Sequence, residues 1–262
     1  MSIALITGAS SGLGWEFAKI HAAAGGNLIL VARNISQLEK LKTTIQQDHA
    51  AQIHLIQKDL SQHHAAEELY EYVKSQSWKV DILINNAGFG YYGMFMEESL
   101  QKDDEMMQLN MVTLTKLTKL FAGDMVKRGK GRIMNVASTA AFQPGPTMAV
   151  YCATKAFVLH FTEAISNELK RTGVTITALC PGATTSGFQA AAGMEESLLV
   201  KGRNLPTSYE VADYGYKAMM KGQAVAIHGF MNYLMAVSVR FTPRSLVLKV
   251  ARWMMRKKVE SL

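Results

Sequence analysis

Short apolar runs alternate with longer stretches whose apolar residues recur at helical spacing, and the alternation continues almost to the end of the chain. Runs at 2–7, 28–32, 53–57, 80–84, 132–137, 174–179 and 224–227 read as strands. The stretch after the first run places Leu13, Phe17, Ile20 and Ala24 on one stripe and stops at Gly25-Gly26. The next has Leu38, Leu41 and Ile45 inward, with Ser36 and Glu39 spaced as a capping box. Helices are expected over about 65–75, 103–128, 151–171 and 208–221, each long enough for a crossover between parallel strands. Right-handed crossovers then give an α/β fold: a doubly wound parallel sheet of about seven strands with helices on both faces.

A length of 262 residues suits one large domain, and 48% hydrophobic with 19% charged residues argues against a disordered or fibrous chain. The expected body covers 1–239, with an irregular stretch at about 182–206 serving as a substrate loop and a basic amphipathic extension at 240–262. Two cysteines, Cys152 and Cys180, build no disulfide scaffold and point to a reducing compartment. The net charge of +7 is concentrated in Arg240, Arg244, Lys249, Arg252, Arg256, Lys257 and Lys258; without these, 21 basic residues stand against 21 acidic. That distribution is unlike the basic stripe of a duplex binder, so no nucleic-acid partner is expected. The first strand begins at once, leaving no room for a removable leader, and the apolar stretches near the end are broken by His228, Gly229, Asn232 and Arg240. The expected location is cytoplasmic, with peripheral contact at an inner membrane surface as the alternative.

The first strand runs into Thr7-Gly8-Ala9-Ser10-Ser11-Gly12-Leu13-Gly14. Glycines at a strand-to-helix turn let backbone N–H groups approach a pyrophosphate at the helix N-terminus; the competing reading is simply a tight turn. The second strand ends at Arg33, where a carboxylate would have marked a ribose hydroxyl site. An arginine there suits a 2′-phosphate, or is an ordinary solvated side chain. Tyr151 and Lys155 stand one helical turn apart, with Ser138 at the end of the preceding strand. A nearby ammonium favours the phenolate, and lowering a phenol by about three pH units takes about 4 kcal/mol. Taken alone, the pair also reads as a surface helix contact.

Taken together, Thr7-Gly8-x-x-x-Gly12-x-Gly14, Asp59-Leu60, Asn85-Asn86-Ala87-Gly88, Asn110, Ser138, Tyr151-x-x-x-Lys155 and Pro181-Gly182 closely resemble the short-chain dehydrogenase/reductase family, in order, from the first strand to about Phe188. The chain is most similar to the compact single-domain branch, including ketoacyl-reductase-like and steroid-dehydrogenase-like members. The resemblance implies a Rossmann fold in which Gly8, Ser10, Ser11, Gly12, Leu13 and Gly14 cradle the adenosine and pyrophosphate. It implies that Arg33 holds a 2′-phosphate, that Asp59 bonds the adenine amino group beside Leu60, and that Asn86, Ala87 and Gly88 flank the adenosine and support the sheet. Tyr151 would be the general acid or base, Lys155 would hold the nicotinamide ribose, Ser138 would orient the carbonyl, and Asn110 would position a water of a proton relay. Pro181 and Gly182 would adjoin the nicotinamide. Ser186 stands where the family usually has a threonine for the carboxamide, with Thr184 as a second candidate.

These roles describe an NADP(H)-dependent oxidoreductase that interconverts a hydrophobic ketone or aldehyde and its alcohol; the alternative is a catalytically silent dinucleotide sensor or scaffold. The resemblance also implies a homodimer or homotetramer built on the helices around Asn110 and Tyr151. Phe89, Tyr91, Tyr92, Phe142, Met148 and Phe188 follow strand ends, where an apolar pocket would form or where they would simply pack. His63 and His64 lack a third ligand nearby, so no metal is expected, and Cys152 reads as a small core residue. In the C-terminal segment 245–258, Lys249, Arg252 and Arg256 form a stripe beside Leu246, Val247, Val250, Trp253 and Met254. Such a helix suits an anionic membrane, a subunit interface or packing on the body.

Overall fold

The computed structural model describes residues 1–194, 197, 198, 200, 202 and 204–256, with backbone alone at 190 and 191. Seven parallel strands, β1 (Ile3–Thr7), β2 (Asn27–Ala32), β3 (Ile53–Gln57), β4 (Ile82–Asn85), β5 (Gly131–Val136), β6 (Val174–Cys180) and β7 (Val225–Ile227), form one sheet in the order β3-β2-β1-β4-β5-β6-β7. Reversal of the order between β1 and β4 opens a crevice at their carboxyl ends, the place where such sheets bind ligands.

One face carries α1 (Gly12–Ala23), α2 (Ile35–Asp48) and α8 (Ser208–Met220), packed through Phe17, Leu38, Leu41 and Met219. The other carries α3 (Ala65–Ser75), α5 (Leu114–Lys127) and α6 (Ala149–Glu168), with Leu69, Leu117 and Phe121 against Leu5, Leu83 and Ile133. Both sheet faces are covered, so the strands read as near-continuous apolar runs.

Three expectations change. The single helix expected over 103–128 is α4 (Leu100–Met107), then a π-helical segment Gln108–Thr113, then α5. One extra residue per turn shifts the inward face without ending the helix, which an apolar period does not reveal. The second helix is capped two residues before the expected Ser36: Asn34 is its N-cap, and its side chain accepts from the Gln37 N–H. The stretch 182–206 is not wholly irregular, since it contains α7 (Phe188–Ala192) and a parallel bridge between Thr185 and Thr207.

Beyond β7 lie α9 (Phe230–Ser238), a helix not expected from the sequence, and α10 (Arg244–Met255). The expected C-terminal helix thus ends at Met255, and Lys257 and Lys258 lie outside the described residues. Among the described residues, no helix is long and apolar enough to cross a membrane.

Candidate active site

The carboxyl ends of β1, β4, β5 and β6 border a cavity of about 850 Å³. The glycine turn forms one wall. Gly8 and Gly12 take φ of +65° and +55°, a region open to glycine at little cost. A Cβ at Gly12 would meet only the Ser186 Cβ, 3.6 Å away, so the backbone there is open to the cavity. Ser10, Ser11 and Leu13 also line it, and among the described residues no side chain caps the first turn of α1 at Ser11. Unpaired N–H groups and the positive end of the helix dipole therefore face this space.

Gly14 stands apart from the rest of the turn. It lies outside the cavity lining, and a Cβ on it would stand 2.3 Å from the Gly8 carbonyl oxygen. Its lack of a side chain lets α1 close on the turn. Asn86 holds the same turn from β4, its Nδ2 donating to the carbonyls of Thr7 at 3.0 Å and Gly8 at 3.1 Å, while Thr7 Oγ1 accepts from the N–H groups of Asn86 and Ala87.

Arg33 is exposed at the rim past β2, with Asn34, Lys58, Asp59 and Leu60 beside it. Burial pushes the Asp59 carboxyl up, but hydrogen bonds from Ser61 and Gln62 and the Arg33 charge outweigh it and leave the group below its usual value. Lys58, which the motif reading did not single out, lines the cavity and pairs with Glu68 at 2.6 Å. Ala87 and Gly88 line the floor, and Pro181, Gly182, Thr184 and Ser186 the side after β6. Ser186 donates to Gln189 Oε1 at 3.2 Å, and the Thr184 hydroxyl donates to the Gly182 carbonyl at 3.0 Å.

Ser138, Tyr151 and Lys155 converge deeper in. A buried polar ladder fixes their supports: Asn85 Nδ2 donates to Thr118 and Asn135, and Asn135 Nδ2 donates to Thr162 of α6 at 3.0 Å, tying β4 and β5 to that helix. Lys155 is 5% exposed, and its Nζ donates to the Val136 carbonyl at 2.7 Å while standing 5.8 Å from the Tyr151 ring centroid. Burial lowers the Lys155 pKa to about 8. Burial pushes Tyr151 upward, against the opposing effect of its hydrogen bond with Ser138. The expected depression of Tyr151 by Lys155 is therefore not produced by the chain's own groups, because removing the phenol from water outweighs the neighbours that favour its ionised form.

Asn110 occupies the wall behind the cavity and not its lining. In the π-helical segment, its Oδ1 accepts from the Phe89 N–H at 3.2 Å, and its Nδ2 donates to the Phe89 carbonyl and the Thr154 hydroxyl. These partners take both amide hydrogens and one of the two Oδ1 lone pairs, so the side chain positions the Gly88-Phe89 loop after β4. A Cβ on Gly88 would stand 2.9 Å from Asn110 Oδ1 and 3.4 Å from Lys155 Nζ, so that glycine lets the two approach each other.

Phe89, Tyr91, Tyr92, Met148 and Phe188 join Tyr151, Met106, Met194 and Met255 in one apolar cluster, whereas Phe142 packs in another with Val158 and Cys180. Cys152 is buried beside Met255, and burial pushes its thiol up to about 12. His63 and His64 are exposed at the start of α3, and no metal-ligating group of three or more occurs among the described residues.

The roof was missed from the sequence. Met235 and Val239 from the α9 side, with Leu246, Val250 and Met254 of α10, close the cavity from above. Gly182 leaves room for Asn232 of α9, whose Nδ2 a Cβ would approach to 2.5 Å. The available signal was a nearly unbroken apolar stretch after Gly229, too short to span a bilayer.

A family model described as short chain dehydrogenase matches residues 2–197. The chain belongs to the short-chain dehydrogenase family. It is therefore an NAD(P)-dependent oxidoreductase, and the groups around the cavity fit a nicotinamide dinucleotide: uncapped helix N–H groups for phosphates and a buried ammonium for hydroxyl oxygens. Human 17-beta-hydroxysteroid dehydrogenase type 3 is 32% identical over 190 residues, which cover 71% of this chain and 60% of that protein. A short-chain dehydrogenase from Sphingobium yanoikuyae, solved in complex with NADPH, superposes with a TM-score of 0.82 at 29% identity, covering 92% of this chain and 94% of its own. The bulky-bulky ketone specific alcohol dehydrogenase from Comamonas testosteroni gives 0.79 at 30% identity, covering 92% of each chain.

Proposed function

We propose that the protein is an NADPH-dependent reductase of a bulky apolar ketone or aldehyde, or the reverse alcohol dehydrogenase, with Tyr151 as its general acid and base. The observation that carries the reading is the convergence of Ser138, Tyr151 and Lys155 in one cavity whose opposite end holds the open glycine turn and Arg33. Bound nicotinamide supplies the hydride. The protein's contribution is to hold donor and acceptor in a reactive geometry and to supply the proton.

Tyr151 stays protonated through the neutral range, as burial raises its pKa, so its hydroxyl is ready to give a proton to a carbonyl oxygen that Ser138 orients. Lys155 has one hydrogen bond among the described residues, leaving donors for ribose hydroxyls, and its charge stabilises the phenolate left behind. Asn110 keeps the Gly88-Phe89 wall against the nicotinamide side. Gly8, Ser10, Ser11, Gly12 and Leu13 receive the pyrophosphate, Asp59 and Leu60 the adenine, and Thr184 or Ser186 the carboxamide. Arg33 favours a 2′-phosphate, which supports NADPH over NADH. The methionines around Tyr151 adapt to irregular apolar shapes, and the similarity to a bulky-ketone enzyme and a steroid dehydrogenase points the same way.

A homodimer or homotetramer through α5 and α6 is part of this proposal. Phe157 is 41% exposed on α6 and stacks on Phe161 with ring centroids 5.8 Å apart, leaving an apolar outer face.

Replacement Tyr151→Phe tests the reading with NADPH and bulky aryl ketones. A fall in kcat/KM of roughly 10²–10⁴-fold with NADPH affinity nearly unchanged is expected; near-normal turnover would remove Tyr151 from the chemistry.

A further inference from the structure

The two helices that roof the cavity are oily on both sides. Leu246, Val250 and Met254 recur on one side of α10 and line the cavity, and Met235 and Val239 face them from the α9 side, so the mouth opens between these elements. Around that mouth, Phe241 is 84% exposed, Phe230 76%, Met231 64% and Trp253 53%. Only Val247, Ala251 and Met255 of α10 are buried against the body. An apolar patch of this density on one end of a protein marks an interaction surface.

The charge of the same end selects the occupant. Arg240, Arg244, Lys249, Arg252 and Arg256 are all exposed, and the sequence has no acidic residue from Tyr214 to Val259. Lys249 and Arg252 stand at i and i+3 on α10 with Arg256 just past its end, separated from the aliphatic strip by Trp253. A second copy meeting this face across a two-fold axis would bring the like charges of α10 together. A nucleic acid would satisfy the cations but leave the aliphatic strip in water. An anionic bilayer satisfies both, with aliphatic and aromatic groups at the acyl boundary and cations at the phosphates.

We propose that α9 and α10 dock the protein on an anionic phospholipid surface with the cavity mouth turned toward the lipid. An apolar substrate then enters from the bilayer without crossing water. This route rests on the proposed reading of the cavity, whereas the docking does not.

The test is co-sedimentation of the full chain with vesicles of phosphatidylglycerol and phosphatidylcholine, compared with phosphatidylcholine alone. Binding to the anionic vesicles alone, reduced at least roughly tenfold by Lys249→Glu with Arg252→Glu and likewise by Trp253→Glu, is the expected result. These side chains lie outside the cavity lining, and unchanged thermal unfolding of each variant verifies its fold. No sedimentation of the wild type, or equal sedimentation of the charge-reversed variant, would overturn the proposal. So would a wild-type oligomer that ignores vesicles and dissociates on Trp253→Glu, since a second copy would then cover the patch. Tyr151→Phe, which tests the catalytic reading, leaves vesicle binding unaltered, so failure of either idea is read separately.

Discussion

Replacing Lys155 by methionine is expected to stabilise the cofactor-free protein while destroying its activity. The ammonium is almost wholly buried with a single hydrogen bond to the Val136 carbonyl among the described residues, and burial brings its pKa from 10.5 to about 8. At about 1.4 kcal/mol per pH unit, that displacement is about 3 kcal/mol of destabilisation at neutral pH. Methionine has a similar reach and no charge; it forfeits the Val136 hydrogen bond, about 1 kcal/mol, so the net gain is about 2 kcal/mol. For a chain of this size that raises Tm by roughly 5 °C at fixed protein concentration. The pH dependence carries the sign. The folded pKa lies below the unfolded one, so the penalty is complete below pH 8 and disappears as pH rises toward 10.5, where both states are neutral. Calorimetry of both proteins from pH 7 to 10 will show the variant ahead at pH 7 and the gap closing across that window. A variant less stable than the wild type at pH 7, or a gap indifferent to pH, would refute the assignment of Lys155 as a strained buried cation.

Two other substitutions separate packing from binding at the cofactor end. Gly14→Ala sets a Cβ 2.3 Å from the Gly8 carbonyl oxygen and 2.6 Å from Asn86 Nδ2, so overpacking will cost roughly 1–3 kcal/mol, measured as a lower denaturation midpoint without any ligand. Arg33→Ala leaves the fold intact and raises KM for NADPH by roughly 10–100-fold, the loss of a charge-assisted pair, with KM for NADH unmoved in steady-state assays. Equal effects on the two cofactors would take Arg33 out of 2′-phosphate recognition.

Strands were legible because covered parallel strands are continuous apolar runs: Ile53–Gln57 agrees at both ends, and the others differ by at most a few residues. That the glycine turn, Ser138, Tyr151 and Lys155 border one cavity was legible because their spacing sets them at or just past strand ends. What failed depended on geometry that the pattern does not encode. The π-helical segment preserves the apolar period on either side of Asn110, so nothing in the sequence marks it. Asn34 and Ser36 are equally good caps, and the choice follows from where β2 releases the chain. Helix α9 is apolar almost all round and begins at Gly229, at φ +89°, with no capping side chain among the described residues, so neither periodicity nor a start signal reveals it. Its role as a roof depends on the tertiary path beyond β7. The raised Tyr151 pKa is not legible in the sequence, because the spacing shows a nearby ammonium and not the depth of burial that outweighs it.

Two groups that face the cavity without full protein partners bear on why the chemistry sits there. Behind the cavity, near the carboxyl ends of β4 and β5, polar side chains bond one another: Asn85 Nδ2 reaches Thr118 and Asn135, and Asn135 reaches Thr162. Facing the cavity the opposite holds, with α1 uncapped at Ser11 among the described residues and Lys155 buried with donors to spare. Each of these raises the energy of the unliganded protein, and under the proposed reading a dinucleotide would relieve both at once, with phosphate oxygens for the helix N-terminus and hydroxyl oxygens for the ammonium. Cofactor binding and conformational stability are therefore coupled in this fold, and the more firmly the buried polar ladder holds α6, the less Lys155 can escape its strain by moving. The same rigidity that makes the free protein costly at Lys155 is what keeps Tyr151 and Ser138 aimed at one point.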